Sequence, residues 1–137
     1  MIAYERFDAW HAAHHLALEL YRATDTWPRS ERFGLTIQVR RAALSVPSNI
    51  AEGAAKRGSR EFRRFLDIAL GSLAELSYLL RFSRDYGLLP EESWLALETH
   101  RDRAGRLTWG LYHAVSNATE RCQTPRKSPW VPEPPTA

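Results

Sequence analysis

Residues 60–86 read REFRRFLDIALGSLAELSYLLRFSRDY. Phe62, Phe65, Leu66, Ala69, Leu73, Leu76 and Leu80 return at three- and four-residue steps, the period at which helical side chains share a face. A strand would need alternation at every second residue, and no segment of the chain shows it. Gly58-Ser59 punctuates the start, the glycine closing what precedes and the serine offering an N-cap, and Gly87 stops the segment. The spacing predicts a helix from about Arg60 to Tyr86 with one broad apolar face that other helices must cover.

Three further segments carry the same period. The first runs from about Asp8 to Thr26, with Phe7, Trp10, His14, Leu18 and Tyr21 recurring, Asp8 as a cap and Trp27-Pro28 as the stop. The second runs from about Glu31 to Arg57, capped near Ser30 or Glu31. The fourth begins at Pro90, a favoured first-turn residue, followed by Glu91 and Glu92 at the positive end of the helix dipole. Trp94, Leu97, Ala104, Leu107, Leu111, Val115 and Ala118 carry its face to about Arg121. Four helices with short connections predict an all-α, antiparallel up-down-up-down four-helix bundle over residues 1–122. The rods would be roughly 30 to 45 Å long at about 1.5 Å per residue. Residues 123–137 end in TPRKSPWVPEPPTA, which holds five of the eight prolines and is expected to be a disordered tail.

At 137 residues the chain fits one domain with a core of its own. Cys122 is the only cysteine, which excludes an internal disulfide and a cysteine-built zinc site. No run approaches the roughly 18 apolar residues that span a bilayer. The opening MIAYERFDAWHAAHH is charged and interrupted rather than secretory, so a soluble, cytoplasmic protein without a membrane partner is expected. Net charge is +3, but the segment from Arg29 to Arg64 holds nine basic residues against three acidic ones and carries +6, leaving −3 elsewhere. Of 19 basic residues 17 are arginine, which suits forked contacts to phosphate or carboxylate; a genome rich in G and C would enrich arginine equally well.

The second helix contains RRAALSVPSNIAEG, residues 40–53. In projection Leu35, Val39, Ala42, Ala43, Val46, Ile50 and Gly53 share one face, the expected core. Ile37, Leu44 and Ala51 repeat at seven-residue steps on the other side, with Ala55 beside them. A surface helix of a monomer needs one apolar stripe; a second predicts a partner, most simply another copy of the chain. Between the stripes lie Arg41, Ser45, Ser48 and Glu52, with Asn49 adjoining. Pro47 removes a helix donor and predicts a kink whose freed backbone groups Ser48 and Asn49 can satisfy, a structural rather than catalytic use. In the third helix, Gly71 costs about 0.5–1 kcal/mol relative to alanine and predicts a close approach. Glu75 stands beside an apolar face, either paired with Arg41 or simply exposed at the helix flank.

The string ERFGLTIQVRRAALSVPSNIAEGAAKRGSREFRRFLDIALGSLAEL, together with the aromatic–Asp–x–Trp opening at Phe7 to Trp10, closely resembles a bacterial four-helix bundle family. That family includes proteins encoded in intervening sequences of 23S ribosomal RNA genes and the accessory variability determinant of diversity-generating retroelements. The resemblance covers about residues 5 to 120. It implies the antiparallel bundle and a ring-shaped homopentamer. For the retroelement relatives it implies a basic nucleic-acid-binding surface and contact with a reverse transcriptase. The family pattern includes no catalytic residues.

Lys56, Arg57, Arg60, Arg63 and Arg64 span the junction of the second and third helices, the last three on one face. Cations are disfavoured at a helix N-terminus, so this cluster reads either as a phosphate-binding surface or as a solvated charged one. Phe62 and Phe65 interleave it, but the core claims them, which gives base stacking little support. His11 and His15 in HAAHH lie one turn apart, yet Ala12 stands where a metalloprotease needs Glu; no metal and no cofactor are expected, and His14 falls on the core face. No glycine-rich phosphate loop is present, and Glu52 and Glu75 form no recognisable acid–base pair. The expectation is a non-enzymatic, oligomeric bundle that binds RNA or DNA through its basic face as an accessory or scaffold factor. The alternative is an interaction module that docks an acidic protein such as a reverse transcriptase.

Overall fold

The computed structural model describes residues 2–123, with side chains as far as residue 118. Its elements are a 3-10 turn at Ala3–Arg6, α1 (Asp8–Thr24), a 3-10 turn at Arg29–Glu31, α2 (Leu35–Ala55), α3 (Ser59–Tyr86) and α4 (Glu91–Gln123). Each helix packs on its sequence neighbours, and α4 closes the circuit on α1; among the described residues the backbones of the diagonal pairs α1–α3 and α2–α4 do not approach closely. That is the up-down-up-down bundle. The described helix outruns the expected boundary at residue 122 by one residue, Gln123. The rest of the expected tail, residues 124–137, lies outside the described residues.

Leu16, Leu20, Val39, Val46, Ile50, Leu66, Leu76 and Leu80 are fully buried where the four faces meet. Each such side chain contributes roughly 1.5–3 kcal/mol by leaving water. The core faces expected for α2, α3 and α4 are the ones that pack, although Phe62, Trp94, Leu107 and Leu111 are only partly buried. The face expected for α1 is corrected. Ala9, Ala13, Leu16, Ala17, Leu20 and Thr24 face the core, while His14 is exposed and Leu18 is 41% exposed. Two series interleave on this helix, one small and one aromatic. The small one wins because alanines let α1 approach its neighbours, while Trp10 covers the edge with His14 stacked on it at 4.9 Å.

The helix ends show where local chemistry departs from pattern. Asp8 is the first helical residue and Phe7 occupies the cap, so Asp8 acts through its charge in the first turn rather than as a capping side chain. At the other end Thr24 Oγ1 donates to the Leu20 carbonyl at 2.8 Å and accepts from Arg40 Nε at 2.8 Å. Arg40 Nη2 also donates to the Tyr21 carbonyl (3.2 Å) and to Asp25 (3.3 Å), and the guanidinium lies 4.5 Å from the Tyr21 ring. One arginine of α2 thereby satisfies orphan acceptors at the C-terminus of α1. Helix α2 begins at Leu35 rather than Glu31, after a 3-10 turn, and Glu31 caps it at a distance by accepting the Leu35 N–H at 3.3 Å. At the end of α3, Gly87 takes the left-handed conformation (φ 94°) and the Leu88 and Leu89 N–H groups turn back to the Ser83 carbonyl.

Helix α2 runs unbroken through Pro47, which is buried. The neighbouring polar residues form a seam. Asn49 Nδ2 donates to the Ser45 carbonyl (2.7 Å) and to Ser45 Oγ (3.0 Å). Ser45 Oγ and Ser72 Oγ lie 2.7 Å apart, and Ser72 Oγ donates to the Ile68 carbonyl at 3.2 Å. One proton arrangement satisfies the whole chain: Asn49 to Ser45, Ser45 to Ser72, Ser72 to Ile68. Gly53 brings the same two helices together one hairpin turn from their junction. A Cβ there would lie 2.8 Å from both Phe62 Cδ2 and Phe65 Cβ.

Candidate nucleic-acid interface

The α2–α3 junction turns at Lys56, Arg57 and Gly58, the last with φ 89°, a conformation that favours glycine. The turn puts Lys56 and Arg57 in solvent and starts α3 so that Arg60, Arg63 and Arg64 fall on its first two turns. Arg60, Arg63 and Arg64, with Glu61 and Asp67, line an open groove of about 480 Å³ whose far wall is Tyr112 of α4. Lys56 and Arg64 flank buried Phe65, the ammonium 5.5 Å and the guanidinium 4.6 Å from its ring. Lys56 also lines a neighbouring groove with Arg6, Phe62 and Leu111.

The surface is less uniformly basic than the spacing alone implied. Arg64 Nη2 pairs with Glu61 at 3.2 Å, both side chains about half exposed, a contact worth at most about 1 kcal/mol. Such a pair yields readily to a phosphate. Arg57, Arg60 and Arg63 make no ion pair among the described residues, and Asp67 makes none either. The groove therefore holds three guanidinium groups against two carboxylates. Phe65 is buried and Phe62 half-buried, and neither lines the arginine groove.

Two aromatic residues of α4 were not read from the sequence as part of a site: Tyr112, which lines this groove, and Trp109, which stacks on Tyr112. Trp109 is 53% exposed, and its ring lies parallel to Tyr112, centroids 5.6 Å apart and planes 7° apart. His113 meets Trp109 edge-on at 4.6 Å. The signal was present as Trp-x-x-Tyr on α4, off the Leu97–Ala104–Val115 face and close to the arginines only through the fold.

The remaining expected residues separate into two groups. Asn49 and Gly53 belong to the α2–α3 seam, joined there by Ser45 and Ser72. Ser48 and Glu52 are exposed and take no part in it. The Arg41–Glu75 pair is absent: both residues are exposed and no ion pair joins them, so Glu75 is a solvated flank residue. Gly71 is corrected as well, since a Cβ there would meet nothing within 4 Å and the close approach lies at Gly53 instead. Along the outward side of α2, Leu44 is 46% exposed, Ile37 and Ala51 are half-buried, and Ala55 is exposed. Ile68, Tyr78, Phe82 and Tyr86 continue an exposed apolar face on α3.

His11 Nε2 lies 2.6 Å from the Glu5 carbonyl oxygen, and His15 packs edge-on against His100 of α4 at 4.7 Å. No group of three or more His, Cys, Asp or Glu among the described residues can hold a metal ion. Among those residues no helix is long and apolar enough to cross a membrane. A half-buried fork on α4 joins Arg101 to Glu98, and those hydrogen bonds raise the already high pKa of the guanidinium.

A family model described as 23S rRNA-intervening sequence protein matches residues 5–110, which include all of α1, α2 and α3 and much of α4. The chain belongs to the 23S rRNA-intervening sequence protein family. No curated protein matches it. The family's name refers to an intervening sequence of a ribosomal RNA and describes no reaction. In this member, the aromatic–Asp–x–Trp opening, the α2–α3 seam and the arginine groove all fall within the matched residues, while Tyr112 and His113 lie just beyond them.

Proposed function

We propose that this intervening-sequence protein is a non-enzymatic, oligomeric nucleic-acid-binding accessory factor, which holds phosphate backbone at the end of the bundle where α2 turns into α3. The observation that carries this reading is the convergence of Arg60, Arg63 and Arg64 in one open groove, with Lys56 and Arg57 exposed in the turn that precedes α3. Arg60 in the first turn of α3 opposes the helix dipole, a local cost that a bound polyanion offsets. Arginine forks suit phosphate oxygens better than point charges do. The oligomer follows from the outward stripe of Ile37, Leu44 and Ala51, which the protomer leaves partly in water. Copies arranged in a ring, a pentamer by resemblance, would repeat the groove and multiply its field.

The test is a salt titration of RNA and DNA binding with the purified chain. Each phosphate contact to a single strand steepens the salt dependence of log K by about 0.7. The triple variant R60A/R63A/R64A should therefore lower the slope by roughly 2 and weaken binding to every sequence alike. An absence of binding at low salt, or binding indifferent to the triple variant, would overturn the reading. In that case the basic face is left to the docking of an acidic protein.

A further inference from the structure

We infer that the groove between the first turns of α3 and the second half of α4 takes single-stranded RNA, with unpaired bases stacked on Trp109 beside phosphates held by the arginines. The inference rests on the preceding reading and names the ligand class of that same site. Its starting point is an aromatic surface the bundle does not use. The core of α4 is built from Leu97, Ala104, Thr108 and Val115, all buried, whereas Trp109 leaves more than half of its surface in water. Tyr112 joins that surface to the arginine groove, since it stacks on Trp109 and also lines the cavity with Arg60, Arg63 and Arg64.

This combination of groups selects among nucleic acids. A guanidinium cluster recognises any phosphate backbone, duplex or single-stranded. An exposed indole adds affinity only for a base whose face is free, and in a duplex those faces are covered by neighbouring bases. The indole therefore favours a single strand. The two carboxylates in the groove separate RNA from DNA. Glu61 is engaged by Arg64, but Asp67 makes no ion pair among the described residues and lines the same cavity. A carboxylate repels phosphate and accepts hydrogen bonds, and a ribose 2′-hydroxyl is a donor that deoxyribose lacks.

The experiment measures fluorescence anisotropy of labelled strands with the full chain at low salt. The strands are an oligoadenylate RNA, the same sequence in DNA, a ribose-phosphate strand without bases, and an RNA duplex. The wild type should bind the oligoadenylate RNA most tightly. Trp109→Ala should weaken that binding roughly 5- to 100-fold and leave the baseless strand and the duplex unchanged. Trp109→Phe, which keeps a ring, should retain most of the affinity and guards against a variant that fails to fold. Asp67→Ala should narrow the preference for RNA over DNA. If the wild type binds none of the strands, the reading of the basic groove falls. If it binds baseless, duplex and intact strands alike and Trp109→Ala changes nothing, the groove still holds phosphate but the stacking inference falls. Equal loss of all strands in both Trp109 variants would also overturn it, because a stacking residue does not act on a strand without bases.

Discussion

Replacing Gly53 with alanine separates helix propensity from packing at one position. Alanine in a helix interior is favoured over glycine by about 0.5–1 kcal/mol, and Gly53 lies near the end of α2, where the lower figure applies. Against this, the new Cβ would stand 2.8 Å from Phe62 Cδ2 and 2.8 Å from Phe65 Cβ, with the Phe62 carbonyl oxygen at 3.3 Å. A ring edge can rotate away, but Phe65 Cβ is fixed to the backbone, so α3 itself must move outward from α2. Overpacking of this kind costs roughly 1–3 kcal/mol, and two simultaneous contacts put it in the upper half of that range. The net effect is a destabilisation of about 1.5–2.5 kcal/mol, or a fall in Tm of roughly 5–10 °C for a domain of this size. Urea denaturation followed by circular dichroism reads it directly, with an unchanged m-value as the check on two-state behaviour. Gly71→Ala is the matched control, because the same methyl group meets open space and should stabilise the chain by about 0.5–1 kcal/mol. A Gly53→Ala protein as stable as the wild type would refute the close packing of α2 on α3 at that turn.

Arg40→Met keeps the apolar stem and removes three hydrogen bonds to the end of α1; a loss of about 1–3 kcal/mol in urea melts is expected, with exposure of the Asp25 contact setting the low end. Ser72→Ala breaks the seam between α2 and α3 and should cost about 0.5–1.5 kcal/mol, while Ser48→Ala, outside the seam, should be neutral in the same assay. Leu44→Asp places a charge in the outward stripe; on the oligomer proposal, light scattering should shift from a multiple of the protomer mass to a single protomer with helicity unchanged.

Much of this bundle was legible because its core follows one periodicity in three of four helices. On α3 the exposed series of Ile68, Tyr78, Phe82 and Tyr86 is interrupted by Gly71 and Glu75, so the unbroken series of Leu66, Leu73, Leu76 and Leu80 fixes the core face. On α1 two series compete, and pattern reading ranks by size and hydrophobicity when close approach ranks by smallness; Ala13 and Ala17 face inward for that reason and Leu18 does not. Gly53 and Gly71 make the same point. Both are glycines inside helices, and only the distance to Phe62 and Phe65 separates a packing glycine from an unconstrained one. The site was half legible. Charge clustering along one stretch of chain reveals Arg60, Arg63 and Arg64, since they are neighbours in sequence as well as in space. Tyr112 meets them only because α3 and α4 run antiparallel, and no local pattern in α4 announces that meeting.

The length of α3, 28 residues, is what makes the two proposals compatible. Leu66, Leu73 and Leu80 point to the core, Ser72 bonds toward α2, and Arg63 shares a groove with Tyr112 of α4. The exposed apolar residues Ile68, Tyr78 and Phe82 continue the outward side near α2, together with Leu44. Arg60 and Arg64 stand on the same face of α3 as Tyr78 and Phe82, five turns away along the helix, so a second copy seated on the last turns of α3 would cover the apolar residues there without covering the arginines of its first turns. The groove would then remain open in every copy, and a single strand long enough to cross several copies would gain from their effective concentration rather than from any new contact. A bundle that used one face for both tasks would have to release its neighbour to bind its ligand. Here the length of α3 separates the arginines of its first two turns from Tyr78 and Phe82 near its other end, and assembly and binding need not compete.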